Sequence, residues 1–249
     1  MPVRGGAAAA AAEVVARLAA ALLGAVLLAA ALPVGGPAWS ASPSGQTVRF
    51  PASDGIMLAG TLFGMGTAGV VLAHMFPTDQ RSWHPLARQL AAEGYRALAF
   101  DFRGYGRSGG TRQVDLIDRD VRGAAALLRA KGVARMVLVG ASMGGTAVVK
   151  AAAKDGAAAL VVLSAPLSFR GLTVTPVELS RLTMPSLWIT SADDGATAGM
   201  RAMHAAAPGP KTLHVYAGGA HGTFLFDTPL GPDLTGRILV FVGRHVPPQ

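Results

Sequence analysis

Met136-Val137-Leu138-Val139-Gly140-Ala141-Ser142-Met143-Gly144-Gly145-Thr146-Ala147-Val148-Val149-Lys150 is the stretch on which the fold turns. Its first four residues form a continuous apolar run, as in a strand buried on both faces. Its last five are helix-prone, and small residues fill the interval between. A strand that reverses into a helix within so few positions is a strained turn. Small residues beside Ser142 relieve its clashes while the serine hydroxyl projects from the sheet edge. The pentapeptide G-x-S-x-G means little alone in a chain with 32 glycines. The strand before it and the helix after it give it weight, and the reading is a nucleophile elbow.

On both sides of this stretch, strand-like and helix-like segments alternate. Thr47 to Ala52 and Ile56 to Phe63, joined through Ser53-Asp54-Gly55, read as an antiparallel hairpin. Ala68 to Ala73 and Ala97 to Phe100 are short buried strands. Trp83 to Glu93 and Asp115 to Ala130 read as helices. Beyond the elbow helix come a strand Ala159 to Leu163, a loop-rich stretch Pro166 to Pro185, and a strand Ser186 to Ser191. A helix near Ala196 to Ala207, a strand Thr212 to Tyr216 and an amphipathic segment Asp233 to His245 complete the chain. This alternation predicts an α/β fold with a mostly parallel sheet and helices on both faces. In such sheets chemistry lies at the carboxyl ends of the strands.

A serine hydroxyl needs a base to take its proton and a group to orient that base. Of the six histidines, His221 follows a strand through Ala217-Gly218-Gly219-Ala220, which places it in a loop at a strand's carboxyl end. His214 lies within a strand, and His84, His204 and His245 fall on helical segments, where surface roles are expected. Asp193 and Asp194 follow the strand Leu187-Trp188-Ile189-Thr190, and only one can be the orienting carboxylate. The backbone N–H of Met143 is a candidate oxyanion donor, and the loop His74-Met75-Phe76-Pro77 should supply a second.

Four pieces in order make the chain resemble the α/β-hydrolase family over roughly Thr47 to Val246. His74-Met75-Phe76-Pro77 is similar to the family's His-Gly-x-Pro oxyanion loop, and Asp101-Phe102-Arg103-Gly104-Tyr105-Gly106-Arg107-Ser108 to its D-x-R-G-x-G-x-S turn. The elbow and the Asp194 and His221 loops complete the set. The resemblance implies an eight-stranded sheet with a minimal cap or none, as in small esterases and dienelactone-hydrolase-like members. It implies a triad of Ser142, Asp194 and His221, the acid being chosen by its spacing from Ser191. It further implies oxyanion donors at Phe76 and Met143, and a structural role for Asp101 and Arg103. Met75 departs from the pattern, standing where the family usually has glycine. Either its side chain lines the acyl pocket or the loop geometry shifts.

The interval Leu167 to Met184 is too short for a lid of several helices, so an open site is expected. Met75, Leu167, Phe169 and Phe224 are its expected substrate-binding walls, suited to an acyl or aryl group. The expected reaction is hydrolysis of a small-molecule or lipid carboxylic ester through an acyl-serine, with no cofactor and no metal. The alternatives are amide or peptide hydrolysis or acyl transfer on the same triad, or a non-catalytic protein that binds lipid or cell-envelope material. Haloalkane chemistry is disfavoured, since its nucleophile would be an aspartate where Ser142 stands.

Residues 1–40 differ in composition from the remainder. Arg4 and Arg17 flank an alanine-rich segment, Leu18 to Leu32 is apolar apart from Gly24, and Ala38-Trp39-Ser40 offers small residues for cleavage. That apolar run, about fifteen residues, is short of the roughly twenty that span a bilayer. The expectation is a signal peptide or N-terminal membrane anchor at 1–40, with transient membrane contact through it. The catalytic domain is then 41–249, secreted or held at the cell envelope. Cys is absent from the sequence, which excludes disulfides, a cysteine nucleophile and thiolate metal sites. The formal net charge is +8, yet its basic residues are scattered without aromatic interleaving, so no nucleic acid partner is expected. Nothing in the sequence specifies an oligomeric state.

Overall fold

In the computed structural model, which describes residues 45–248, the strands sort themselves by burial. The strands β3 (Ala68–Ala73), β5 (Arg135–Ala141), β6 (Ala159–Leu163) and β9 (Ser186–Ser191) have scarcely an exposed position. They occupy the middle of an eight-stranded sheet. Its order, β1-β2-β4-β3-β5-β6-β9-β10, is completed by β1 (Gln46–Pro51), β2 (Met57–Phe63), β4 (Arg96–Asp101) and β10 (Lys211–Tyr216). The strand β2 runs antiparallel to both β1 and β4, and every other pairing is parallel. The α/β architecture expected from the alternation is the one observed.

Alternate residues of each central strand feed two separate cores. On one face Val71, Leu138 and Val162 pack against the helices α2 (Asp118–Ala130) and α3 (Met143–Asp155). On the other face Val70, Leu72, Val137, Val139 and Ile189 pack against α1 (His84–Ala92) and α6 (Gly231–His245). A further helix, α5 (Thr197–Ala206), turns Met200 and Met203 into the first core.

The stretch Pro166 to Pro185, expected as loop, carries more structure than its sequence suggests. It holds a two-stranded hairpin of β7 (Ser168–Phe169) and β8 (Leu172–Thr173), then a short helix α4 (Pro176–Ser180). A reciprocal cap between Thr175 and Glu178 closes the start of α4, and Lys150 Nζ anchors the same Glu178 from α3 at 2.7 Å. No described helix is long and apolar enough to cross a membrane. The expected leader, residues 1–40, lies outside the described residues.

Candidate active site

Ser142 sits between β5 and α3 with φ 51° and ψ −120°, a region that side-chain-bearing residues rarely enter. Its neighbours make the turn possible. A Cβ at Gly144 would lie 2.4 Å from the carbonyl oxygens of Ala73 and His74, and one at Gly140 would lie 2.3 Å from Gly144 O. Gly145 is restricted in the same way by Ala165 Cβ at 2.7 Å. The turn is thus packed directly against the end of β3 and the loop that follows it. The hydroxyl of Ser142 makes no side-chain hydrogen bond among the described residues.

Asp194 follows β9 in a tight turn, its N–H donating to Ser191 O at 3.2 Å. Its carboxylate accepts from Ala196 N at 2.9 Å and from His221 Nδ1 at 2.9 and 3.0 Å. A carboxylate only accepts, so Nδ1 carries the proton and Nε2 of the neutral ring keeps its lone pair. The Asp194 side chain is 3% exposed and that of His221 35%, so the pair presents one imidazole edge to solvent. Burial raises the Asp194 pKa. Hydrogen bonds from His221 and Ala196, aided by Ser164, outweigh it and hold the carboxyl below its ordinary value. Asp193 is exposed and makes no hydrogen bond to His221; its N–H donates to Gly218 O at 2.9 Å. Of the two aspartates left open by their position after β9, only Asp194 meets the histidine.

The loop after β3 is built on His74. Its buried ring donates from Nδ1 to Met75 O at 2.9 Å and accepts the Phe102 N–H at Nε2 at 3.1 Å. That pattern fixes one neutral tautomer, and burial lowers the ring's pKa further. The loop therefore holds its shape independently of solvent. The N–H groups of Phe76 and Met143 have no acceptor among the described residues. For Met143 this follows from its position in the first turn of α3, whose leading N–H groups lack intrahelical partners. Two unspent donors thus stand on the loop and helix that pack against each other at Gly144. That is the requirement for stabilising an oxyanion.

Met75 does not line an open pocket. It is fully buried, its sulfur accepts the Thr223 N–H at 3.4 Å, and a Cβ at Gly222 would lie 2.7 Å from that sulfur. The bulky side chain turns inward beneath the His221 loop because Gly222 leaves room for it. Phe76 and Phe169 do come together, with ring centroids 6.1 Å apart. Leu167 and Phe224 are both partly exposed, and Phe224 lines a separate cavity of ≈ 240 Å³ with Thr78, Ser82 and Thr235.

The turn after β4 behaves as a brace. Asp101 accepts from Gln80 N, Gln80 Nε2 and Arg107 N, at 3.0, 2.8 and 3.0 Å. Arg103, 1% exposed, donates from Nε to Asp120 of α2 at 2.8 Å and from Nη1 to Asp54 of the β1–β2 turn at 2.9 Å. Burial opposes its charge, but the two carboxylates outweigh that and raise its pKa.

Two residues escaped the sequence reading. Ser164 closes β6 with φ 46°, fully buried, and its hydroxyl helps lower the Asp194 pKa while making no hydrogen bond of ordinary geometry. A serine at the carboxyl end of a central strand was the available signal. Arg170, at the tip of the β7–β8 hairpin, lies with its guanidinium carbon 4.6 Å from the centroid of Phe76. Among the described residues, no cluster of three His, Asp or Glu side chains could hold a metal ion.

Comparison with known proteins agrees with this architecture. Residues 66–179 match the family model described as serine aminopeptidase, S33. An epoxide hydrolase of Caballeronia sordidicola is 36% identical over 124 residues, covering 48% of this chain and 37% of that protein. A non-heme haloperoxidase of Rhodococcus erythropolis is 33% identical over 106 residues, covering 43% and 38%. The chain thus spans less than half the length of these curated relatives. Among solved structures, an esterase of Pyrococcus furiosus superposes with a TM-score of 0.72 at 18% identity, covering 82% of this chain and 92% of that one. A thermophilic esterase of Thermogutta terrifontis gives 0.66 at 19%, covering 81% and 100%. With the strand order and the elbow between β5 and α3, these superpositions show that the chain has the α/β-hydrolase fold.

Proposed function

We propose that this protein is an exported serine hydrolase that cleaves carboxylic esters through an acyl-serine intermediate. The observation that carries the reading is the Asp194–His221 pair, whose protonated Nδ1 leaves Nε2 as a base, at the same sheet edge as the strained Ser142. In the mechanism, His221 Nε2 takes the Ser142 proton as the hydroxyl attacks the ester carbonyl. The Phe76 and Met143 N–H groups bind the developing oxyanion, and the positive end of α3 adds to their effect. His221 returns the proton to the departing alcohol. A water deprotonated by the same nitrogen then releases the acid. Asp194 stays ionised throughout and stabilises the imidazolium. The Ser142–His221 hydrogen bond absent at rest would form with substrate, as such bonds often tighten only then.

The export half of the proposal rests on residues 1–40: two flanking arginines, a short apolar run and the small residues before Ala41. Amide hydrolysis is the second reading, favoured by the family model's description as a serine aminopeptidase. Short 4-nitrophenyl esters and amino-acid anilides, offered to the same preparation, separate the two. A fluorophosphonate should label Ser142 and abolish turnover. Folded protein that takes no label would sink the proposal, as would a Ser142→Ala variant with full activity.

A further inference from the structure

The β7–β8 hairpin turns on Arg170-Gly171, with φ of 47° and 87°. A two-residue turn with positive φ at both positions suits Asn-Gly or Gly-Gly, and an arginine at the first position is strained. Arg170 is held there by aromatic faces: its guanidinium carbon lies 4.6 Å from the Phe76 centroid and 5.4 Å from that of Phe169. Stacking uses the face of the guanidinium and leaves its in-plane N–H donors unspent. Among the described residues the Arg170 side chain makes no hydrogen bond and has no carboxylate within 4.0 Å.

Its surroundings deepen the positive character. The Arg112 guanidinium carbon lies 4.8 Å from the Tyr105 centroid, and Tyr105 in turn donates to Met143 Sδ at 3.8 Å. Among the described residues the Arg112 Nε donates only to the carbonyl of Gly104, at 3.3 Å. Exposed Asp115 adjoins the hairpin turn, its Cβ 3.2 Å from where a Gly171 Cβ would be, and among the described residues it pairs with neither arginine. Two guanidiniums with unspent donors therefore flank the residues that carry the two free oxyanion N–H groups. An apolar wall, as the sequence suggests, would have no use for them.

We propose that Arg170 is a specificity residue, and that the substrates are esters bearing a second group that is anionic, a carboxylate, which Arg170 grips in bidentate fashion while Phe76 and Phe169 fix its plane. This rests on the reading of Ser142 as an ester-cleaving nucleophile.

Matched substrate pairs test it: mono-4-nitrophenyl glutarate against 4-nitrophenyl pentanoate for an acyl-side anion, and 4-acetoxybenzoate against 4-acetoxybenzamide for an alcohol-side anion. The wild-type protein should favour the anionic member of one pair by about tenfold in kcat/KM, chiefly through KM, as expected for a hydrogen-bonded charge pair. Added salt should shrink that ratio. Arg170→Asn, whose side chain tolerates the left-handed turn, should reduce the ratio to near unity. Arg170→Lys should keep only a small part of it, because an ammonium neither stacks flat on Phe76 and Phe169 nor grips a carboxylate through two parallel N–H groups. A ratio near unity in the wild-type protein, or one unchanged in Arg170→Asn, overturns the proposal and leaves Arg170 as a clamp on Phe76. Binding of mono-4-nitrophenyl glutarate and of 4-acetoxybenzoate to Ser142→Ala, with and without Arg170→Asn, is read independently of turnover. If no ester is cleaved while the affinities still differ about tenfold, the ester reading fails and the anion subsite stands. Affinities unchanged by Arg170→Asn for both anions, with normal turnover, remove the anion subsite and leave ester cleavage by Ser142 standing.

Discussion

The backbone at Ser142 exacts a conformational cost that the side chain cannot recover in the folded protein alone. A φ of 51° with ψ −120° suits glycine, and such strain costs on the order of 1–3 kcal/mol. Ser142→Gly is therefore expected to raise Tm by about 2–4 °C per kcal/mol relieved, while abolishing turnover. Ser142→Ala removes the hydroxyl but keeps the Cβ, so it should lose activity with little gain in Tm. Equal melting temperatures for the two variants would show that the turn stores no strain. Asp194 gives a prediction in pH. Its folded pKa is depressed below the ordinary 3.8, so its contribution to stability is fully present above that value and is lost as pH falls through the folded pKa. Asp194→Asn should flatten the acid limb of the stability curve below about pH 4 and cut kcat/KM at neutral pH by about 10⁴, because the wrong histidine tautomer is then favoured. Urea melts across that range and steady-state rates check the two halves separately.

At the scale of elements, one side chain fastens three of them. Arg103 leaves the end of β4 and ties α2 through Asp120 and the β1–β2 turn through Asp54, with almost no exposure of its own. Arg103→Leu would strand a buried carboxylate and should cost about 3–5 kcal/mol, roughly ten degrees or more in Tm. Replacing Asp120 by leucine in the same chain should recover most of that loss, because the desolvated charge goes with it. The long strands and helices were legible in the chain because each is several residues of unbroken period; Ala68–Ala73, Ala159–Leu163 and Ser186–Ser191 lie where the apolar runs predict. The β7–β8 hairpin was not legible, since strands of two residues are too short to carry a period. The site divides along the same line. Ser142 and the Asp194 and His221 loops announce themselves through turn residues at strand ends. Arg170 depends on the meeting of Phe76 with Phe169, distant in sequence, and the inward turn of Met75 depends on the space left at Gly222.

At the scale of the whole molecule, the described residues 45–248 share one sheet with a core on each of its faces. Expression in a secreting host should yield a mature form beginning near Ala41; an intact Met1 recovered in the membrane fraction would instead establish a retained anchor. Removing residues 1–40 takes away two arginines and one glutamate, so residues 41–249 stay strongly basic and should bind anionic vesicles more weakly as salt is raised. The burial of Met75 makes the molecule its own clock for internal motion. The sulfur is covered by the segment around Gly222 and Thr223, so peroxide is expected to reach it when that segment lifts away, a local opening rather than global unfolding. Met65, 86% exposed, should be oxidised first, with activity intact. Inactivation should track the sulfoxide at Met75, followed peptide by peptide in the mass spectrometer, and its rate then measures how often the histidine leaves its post.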